Sequence, residues 1–274
     1  MSHKSAAALR LEVESALAGR IAAPFQYREQ QFAETASTGI AALDALAHGL
    51  PRGALTEIFG TAGSGKTSVL AAILALRTRA AELCALIDGR DAFDPLSAQA
   101  AGVQLHRLLW IRCRELEQVL RATDLLLQSG GFGLVAVDFS DFAPRHVRRI
   151  PLSVWFRWRR AVENTRTILL ALEQESNAKT CASLVLRMQA EAACWSQTAP
   201  NSRLTEARLL ESLRSGAERL RSQKKESLPR RVDLHRTAEE DSIRFATQIA
   251  GPYETQFQQP PRAKPKWPAR PYAP

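Results

Sequence analysis

Short apolar runs alternate with longer amphipathic stretches through the middle of the chain. The runs have the length of strands buried on both faces, and the longer stretches repeat apolar residues every three or four positions. Strands are predicted at 55–59, 83–88, 108–113, 134–137, 167–172 and 182–186, and helices at 68–79, 115–128 and 151–164. This alternation predicts an α/β domain with a mostly parallel central sheet flanked by helices.

The two ends of the chain differ from the middle. Apolar residues at four-residue steps predict a short N-terminal helix at 5–19, and an extended arm follows it. Residues 204–224 show an Arg-rich helical pattern. From about Thr237, prolines crowd between basic residues, which predicts a disordered C-terminal tail because such a segment buries too little apolar surface to offset its ordering entropy. The expected division is a helix and arm at 1–36, a folded domain at 37–236 and a Pro-rich basic tail at 237–274.

A glycine-rich loop lies between the first buried strand and the first long helix. Residues 60–67, called the phosphate loop below, fit the pattern G-x-x-x-x-G-K-[ST]. The glycines allow backbone N–H groups to point at phosphate oxygens, and the helix that follows favours an anion at its N-terminus. Lys66 would add positive charge at the outer phosphates, and the Thr67 hydroxyl would ligate Mg²⁺. The predicted nucleotide contacts are Gly60, Thr61, Ala62, Gly63, Ser64, Gly65, Lys66 and Thr67.

Asp138 closes the apolar strand at 134–137. A carboxylate at the C-terminal end of a buried strand near a phosphate loop can hold Mg²⁺, either directly or through water. The sequence therefore predicts a nucleoside triphosphate with Mg²⁺, and Thr67 and Asp138 as the metal-binding residues.

Positive charge adds a candidate polyanion partner. The chain has 37 Lys+Arg against 28 Asp+Glu, a net charge of +9, which favours binding to polyanions and to nucleic acid above all. Trp155 and Trp158 have the spacing of a core stripe on the helix at 151–164. Three arginines precede that helix and are candidates for contact with nucleic acid, with a protein surface as the competing interpretation: Arg145, Arg148 and Arg149.

Targeting features point to a cytoplasmic protein. No apolar run approaches the roughly 20 residues that span a bilayer. The N-terminus lacks the basic region and apolar run of a secretory signal. The four cysteines are scattered without a C-x-x-C pair. Three of them lie in or beside predicted strands, as expected of ordinary buried thiols in a reducing compartment.

The segments on both sides of the phosphate loop resemble the ATPase core of the RecA family. The similarity covers roughly residues 37–187, and its motifs come in the same order as in that family. They are Ser-Thr-Gly-Ile at 37–40 with Leu43 and Asp44, Gly-Leu-Pro-Arg-Gly at 49–53, the strand and loop at 84–95, the helix and strand at 118–138, and Leu-Leu-Ala-Leu-Glu-Gln at 169–174. The resemblance implies a RecA-like ATP-binding domain over 37–236 that takes ATP with Mg²⁺.

The resemblance also implies roles for single residues. Lys66 and Asp138 match catalytic positions of the family, and Gln174 matches the glutamine that senses the γ-phosphate. Asp94 matches the position that contacts adenine, although Ser97 stands where the family has an aromatic ring that stacks on the base.

One catalytic position departs from the family. Arg90 stands where recombinases have a catalytic glutamate, and a guanidinium cannot accept a proton from the attacking water. Asp91 is adjacent and could replace the glutamate, but a shift of one residue normally points a side chain elsewhere. Hydrolysis is therefore expected to be weak or to need stimulation by a partner.

The loops that hold single-stranded DNA in recombinases are short here, at 139–150 and 175–180. This architecture, with its N-terminal helix, resembles ImuA, an accessory protein of bacterial SOS-linked translesion synthesis. That family works with an inactive Y-family polymerase homologue and an error-prone replicative-type polymerase. The implied function is a RecA-like ATP-binding accessory protein in DNA repair, which couples nucleotide binding to single-stranded DNA or to a polymerase partner. Self-association is compatible with this function.

Three other functions stay open on the sequence. The first is an active DNA-dependent ATPase that forms recombinase-like filaments, with Asp91 in place of the glutamate. The second is a P-loop kinase for a small metabolite, against which Gln174 and the absence of an obvious Arg-rich lid both argue. The third is a structural adaptor that binds nucleotide and never turns it over.

Overall fold

The computed structural model describes residues 34–195, 210–222, 230–239 and 242–248, with the side chains of 210, 211 and 235–248 outside the description. The predicted N-terminal helix at 5–19 and most of the arm at 1–36 lie outside the described residues. So does the chain beyond residue 248.

Eleven strands and six helices, counted over the described stretches, follow one another largely in alternation. The strands are β1 (Thr35–Ala36), β2 (Leu50–Pro51), β3 (Ala54–Phe59), β4 (Cys84–Asp88), β5 (Leu108–Arg112), β6 (Leu134–Asp138), β7 (Ile168–Glu173), β8 (Leu184–Trp195), β9 (Leu210–Arg221), β10 (Arg231–Glu239) and β11 (Ser242–Gln248). The helices are α1 (Ala41–Ala47), α2 (Lys66–Arg79), α3 (Pro95–Ala100), α4 (Leu116–Ser129), α5 (Pro144–Val147) and α6 (Leu152–Val162). The predicted elements of the central region are confirmed with small shifts at their ends, except that β8 continues to Trp195, well beyond the strand predicted at 182–186.

The central sheet confirms the predicted α/β class. Within the described residues it has nine strands in the order β11-β10-β9-β8-β3-β7-β6-β4-β5. The strands from β8 to β5 are parallel, and β9, β10 and β11 extend the sheet as antiparallel strands. Consequently β3, which leads into the phosphate loop, lies between β7 and β8 and is the middle strand of the nine.

Apolar layers cover both faces of the sheet. On one face, α1 and α2 bury Leu43 and Ile73 against the strands. On the other, Trp155 and Trp158 of α6 are each 1% exposed, and the Trp158 indole N–H donates to Asp124 of α4 at 2.8 Å. The tryptophans therefore form a core stripe, as their spacing predicts.

The predicted helix over 204–224 is wrong in its described part. Residues 210–221 form β9, which pairs with β8 from Val185↔Arg221 to Trp195↔Leu210. The helical spacing of the leucines here is local, whereas β8 offers a long row of backbone partners from elsewhere in the chain. Gly216 lies within this segment and weakens a helix by about 1 kcal/mol relative to alanine. Strand pairing therefore overrides the local pattern.

Two described strands lie across and just after the expected boundary at residue 236, where the tail is expected to begin. β10 continues through Glu239, and β11 pairs with it from Glu239↔Ser242 to Asp233↔Gln248. A strand added to an existing sheet edge gains backbone hydrogen bonds, so it orders with less apolar burial than an independent segment needs.

The cysteines are free thiols, and three of them are buried as predicted. Burial raises the pKa of Cys84 to about 12. Within the described ranges, no helix has the length and apolar character that crossing a membrane requires.

The turn that follows α1 depends on glycine at position 49. Gly49 has a φ of 80°, and a Cβ atom there would lie 2.6 Å from the backbone oxygen of Ala36. Gly131 has a similar φ of 85°, but nothing lies within 4 Å of the place where its Cβ would be. The two glycines therefore share the conformational demand, and only Gly49 adds a steric one.

We expect Gly49→Ala to lower the free energy of unfolding more than Gly131→Ala does. Each substitution places a side chain in the left-handed region, at a cost of roughly 1–2 kcal/mol. Gly49→Ala must in addition displace the Ala36 backbone. Urea titration followed by circular dichroism measures both losses, and equal losses at the two positions would contradict the steric argument.

Candidate nucleotide site

The predicted site residues meet where three neighbouring parallel strands end. The phosphate loop follows β3, Asp138 ends β6, and Gln174 follows β7. The register pairs Phe59 with Glu173 and Asp138 with Leu172, so the three strands end at nearly the same level. A crevice outside the carboxyl ends of parallel strands is the usual ligand position in this type of sheet.

The phosphate loop rests on β8 and β9. A Cβ atom on Gly60 would collide with the backbone oxygen of Met188, and one on Gly65 would lie 2.9 Å from the Ser215 hydroxyl. Gly65 also has a φ of 90°. These two glycines therefore serve close packing as well as the curl of the loop. The contribution of Ser215 is missed from the sequence, because its segment is predicted there as a helix.

The N-terminus of α2 fits a phosphate group. The helix begins at Lys66, has Gly65 as its N-cap, and carries no acidic residue in its first turn. Ser64 is 1% exposed, and its hydroxyl has no hydrogen-bond partner among the described residues. A buried hydroxyl and a helix N-terminus without an acidic neighbour are suited to hold an anion.

Lys66 is buried inside the phosphate loop. Its Nζ donates to the backbone oxygens of Gly60 and Thr61, the second at 3.2 Å. Burial lowers the pKa of Lys66, while the charges of Asp138 and Asp141 act in the opposite direction. Phosphate oxygens would likewise favour the charged form of this lysine.

Asp138 lies half-buried at the end of β6, and one of its oxygens accepts the backbone N–H of Ser140 at 2.8 Å. Burial raises its pKa, the hydrogen bonding of Ser140 lowers it, and the charges of Asp141 and Asp88 raise it. A divalent cation would favour the ionised carboxylate. With the exposed hydroxyl of Thr67, Asp138 fits the predicted Mg²⁺ ligands.

Asp141 was not identified from the sequence. It is an exposed carboxylate in the turn after β6, and its charge acts on both Lys66 and Asp138. Only its position three residues after Asp138 could have drawn attention to it.

Gln174 connects the ends of β7 and β6. Its Nε2 donates to the backbone oxygen of Ser140 at 2.6 Å and to that of Phe142 at 3.4 Å. The residue expected to sense the γ-phosphate therefore contacts the loop that follows the expected metal ligand.

Arg90 stands at the position of the recombinase glutamate, and neither it nor the adjacent Asp91 makes contacts that suit a general base. The Arg90 guanidinium lies 4.9 Å from the centre of the Phe142 ring. Both oxygens of Asp91 accept from Arg112 at 2.5 Å, and this hydrogen bonding lowers the pKa of Asp91. The structure thus ties Asp91 to Arg112 and leaves its role as a substitute base without a supporting contact.

Asp94 caps α3. Its carboxylate accepts the backbone N–H groups of Leu96 and Ser97, each at 3.1 Å, and the Ser97 hydroxyl. The predicted contact of Asp94 with adenine stays a prediction.

The three candidate nucleic-acid arginines lie beyond the carboxyl end of β6, in and just after α5, and all three are exposed. Arg148 forms an ion pair with Glu175 in the loop after β7. The two short loops expected to face DNA are therefore joined to each other at this point. Contact of Arg145, Arg148 and Arg149 with nucleic acid stays a prediction.

We expect Lys66→Ala to weaken the binding of Mg²⁺–ATP at least tenfold, about 1.4 kcal/mol or more, because the ammonium is held within the loop that would surround the phosphates. Isothermal titration calorimetry measures the affinity. Lys179→Ala removes an exposed lysine outside this loop and is the matched control. Equal affinity of Lys66→Ala and the unchanged protein would contradict the site.

We expect Asp138→Asn to weaken the Mg²⁺-dependent part of ATP affinity, and Asp91→Asn to leave it unchanged. The Asp138 carboxylate ends the strand beside the phosphate loop, whereas the Asp91 carboxylate is engaged by Arg112. Titration of Mg²⁺ at fixed ATP separates the two variants. A larger loss in Asp91→Asn would reverse the assignment.

Comparisons with known proteins agree with this geometry. Residues 13–146 match the family model of the RecA N-terminal domain. The RecA protein of Rubrobacter xylanophilus is 41% identical over 113 residues, which are 40% of this chain and 33% of that protein. The RecA protein of Deinococcus radiodurans is 40% identical over 107 residues, 38% of this chain and 30% of that protein. The matched segments thus span about a third of these relatives.

The architecture has a solved counterpart. The crystal structure of the RadB recombinase superposes with a TM-score of 0.53 at 18% identity, over 76% of this chain and 97% of that one. At this identity the similarity shows the fold. Residues 13–146 are thus similar to the RecA N-terminal domain, and the chain shares its fold with the RadB recombinase.

Proposed function

We propose that this chain is a RecA-like ATP-binding accessory protein of DNA repair, acting in SOS-linked translesion synthesis as the resemblance to ImuA implies. Nucleotide occupancy would control its contact with single-stranded DNA or with a polymerase partner. One observation carries the proposal: a complete phosphate loop stands beside a catalytic position at which Arg90 packs on Phe142 and Asp91 binds Arg112.

Binding rests on groups that this chain supplies. The phosphate loop and Lys66 would receive the phosphates, and Thr67 and Asp138 would hold the metal. Bound Mg²⁺ supplies charge neutralisation at the outer phosphates. No carboxylate stands in the position of the recombinase glutamate to take a proton from water. We therefore expect ATP to bind and to be hydrolysed slowly.

Gln174 is the proposed link from the nucleotide to the surface. Its amide bonds to the backbone oxygens of Ser140 and Phe142, and the next residue, Glu175, pairs with Arg148. A change in the hydrogen-bond partners of Gln174 would therefore alter the contacts of both short loops, at 139–150 and 175–180. A ligand can shift such an arrangement only by binding its two states unequally.

The partner surface is proposed to be the edge that carries Arg145, Arg148 and Arg149. Exposed arginines suit the phosphates of single-stranded DNA and also an acidic protein surface. The match to the RecA N-terminal domain ends at residue 146. Arg148, Arg149 and the loop after β7 lie beyond the end of that match. A Y-family polymerase homologue and an error-prone polymerase are the proposed protein partners.

We expect slow ATP hydrolysis that single-stranded DNA hardly stimulates. Arg90→Glu should raise the turnover number at least severalfold, because a general base contributes about 10²–10⁴ to such rates. Asp91→Asn should leave it unchanged. A coupled ATPase assay with and without DNA measures all three proteins.

Two outcomes would overturn the proposal. Strong DNA-stimulated turnover that Lys66→Ala abolishes, together with ATP-dependent filaments in electron micrographs, would establish the DNA-dependent ATPase instead. Failure of the purified Y-family polymerase homologue to bind in the presence of ATP would remove the accessory role.

A further inference from the structure

Two fully buried glutamates lie on neighbouring strands below the nucleotide site. Glu57 of β3 and Glu173 of β7 are both 0% exposed. Glu57 stands opposite Ala171, two residues before Glu173, so both side chains are on the same face of the sheet. Buried carboxyl groups are costly unless they are hydrogen-bonded, so their partners are informative.

Glu57 binds the segment that follows Gln174. Its Oε1 accepts the backbone N–H groups of Asn177 at 2.6 Å and Ala178 at 2.9 Å, and its Oε2 accepts the Ser176 hydroxyl at 2.6 Å. Residues 175–178 are called the clamp loop below. Three hydrogen bonds thus join the clamp loop to the strand that leads into the phosphate loop.

Glu173 completes the arrangement from the neighbouring strand. Its Oε2 accepts the Asn177 side-chain N–H at 2.5 Å, and its Oε1 has no hydrogen-bond partner among the described residues. Burial raises the pKa of Glu173 well above its ordinary value, and the charge of Glu57 raises it further. A negative charge on Glu57 disfavours a second one on Glu173, so the neutral form of Glu173 is favoured over a wider pH range than that of an exposed glutamate.

The pair is connected to the nucleotide site without being part of it. The charges of Asp138 and Asp141 affect the pKa of Lys66. The pKa of Glu173 is instead affected by the charge of Glu57 and by the hydrogen bond from Asn177. The connection runs through the backbone, because the Gly60 N–H donates to the backbone oxygen of Glu173 at 3.1 Å.

We propose that Glu57 and Glu173 are positioning residues that clamp residues 175–178 to the phosphate-loop strand. The position of the clamp loop is thereby set by the nucleotide site. Closure of the clamp keeps Glu175 beside Arg148, and its release would free that arginine for a polyanion. The clamp itself stands on the hydrogen bonds of this chain, while its coupling to nucleotide rests on the proposed function.

Protonation of Glu173 gives the clamp a pH dependence. Because its folded pKa is raised above the unfolded value near 4.5, its favourable contribution is largest at low pH and declines as pH rises towards the folded pKa. Other charged groups also face this region. The charges of Arg159 of α6, Arg221 of β9 and Glu57 all affect the pKa of Cys181. Glu175 and Lys179 lie on either side of the clamp in the sequence. We assign the pH dependence to the carboxyl pair, because Glu173 has the strongly raised pKa and Glu57 contributes to it.

Amide hydrogen exchange at Asn177 and Ala178 of the full chain, without nucleotide, tests the clamp. As pH rises above the ordinary pKa of a glutamate, protection factors corrected for intrinsic exchange should fall in the unchanged protein. Glu173→Gln, which stays neutral, should keep the protection and lose the pH dependence. Glu57→Gln should lower protection at least tenfold across the range.

Glu175→Gln is the matched control, since it alters a glutamate of the same loop and leaves both clamp carboxyls in place. It should not change protection at 177 and 178, and amides of β6 should stay protected in every variant that is folded. Persistence of the pH dependence in Glu173→Gln, or an equal loss of protection in Glu175→Gln, would overturn the clamp.

Addition of Mg²⁺–ATP tests the coupling. Exchange at 177 and 178 should change in the unchanged protein and in Glu175→Gln, but not in Glu57→Gln. Unaltered exchange despite measured ATP binding would overturn the coupling alone. Failure of ATP to bind would overturn the proposed function together with the coupling, and the nucleotide-free experiment would still decide the clamp.

Discussion

The parallel pairing of β3 with β7 is the constraint on which the functional edge depends. It runs from Ala54↔Ile168 to Phe59↔Glu173 and brings segments more than a hundred residues apart in sequence side by side. Through it the phosphate loop and Gln174 leave the sheet at the same level. The same pairing places Glu57 beside Glu173 and carries the bond from Gly60 to the backbone of β7.

Burial is the shared cause of the unusual titration behaviour at this edge. It lowers the pKa of Lys66 and raises those of Asp138 and Glu173. Charged groups in a poorly solvated crevice interact more strongly with a partner than they would in water. For Lys66 and Asp138 the fitting partners are phosphate and Mg²⁺. For Glu173 the partner is Asn177 of the same chain. Lys66 and Asp138 are therefore assigned to binding, and Glu173 to positioning.

The neighbourhood of Arg90 helps to hold the loop after β6. The guanidinium packs on the ring of Phe142, whose own backbone oxygen lies within reach of Gln174. An arginine there reinforces the loop after β6 and cannot serve as a base. The contacts of Arg90 and Gln174 thus hold the two loops in place, which agrees with the proposed role of nucleotide as an effector.

Much of the core could be predicted from the sequence, because its determinants are local. Apolar runs and helical spacing gave the strands and helices of the parallel region, and the spacing of Trp155 and Trp158 gave their burial. The glycine pattern with Lys66 and Thr67 identified the phosphate loop. Asp138 was predicted from its position at the end of a buried strand, and Gln174 from the resemblance to the RecA family; parallel strands bring their carboxyl ends together.

Other features depend on contacts between distant segments and were decided by the tertiary structure. Residues 210–221 have a helical leucine pattern, yet β8 supplies a continuous row of backbone partners and makes them a strand. Only that pairing brings Ser215 against Gly65. Asp91 looked available in the sequence and is held by Arg112. Glu57 and Glu173 look like ordinary residues of two separate strands, and they become a pair only because parallel pairing buries both carboxyls on one face.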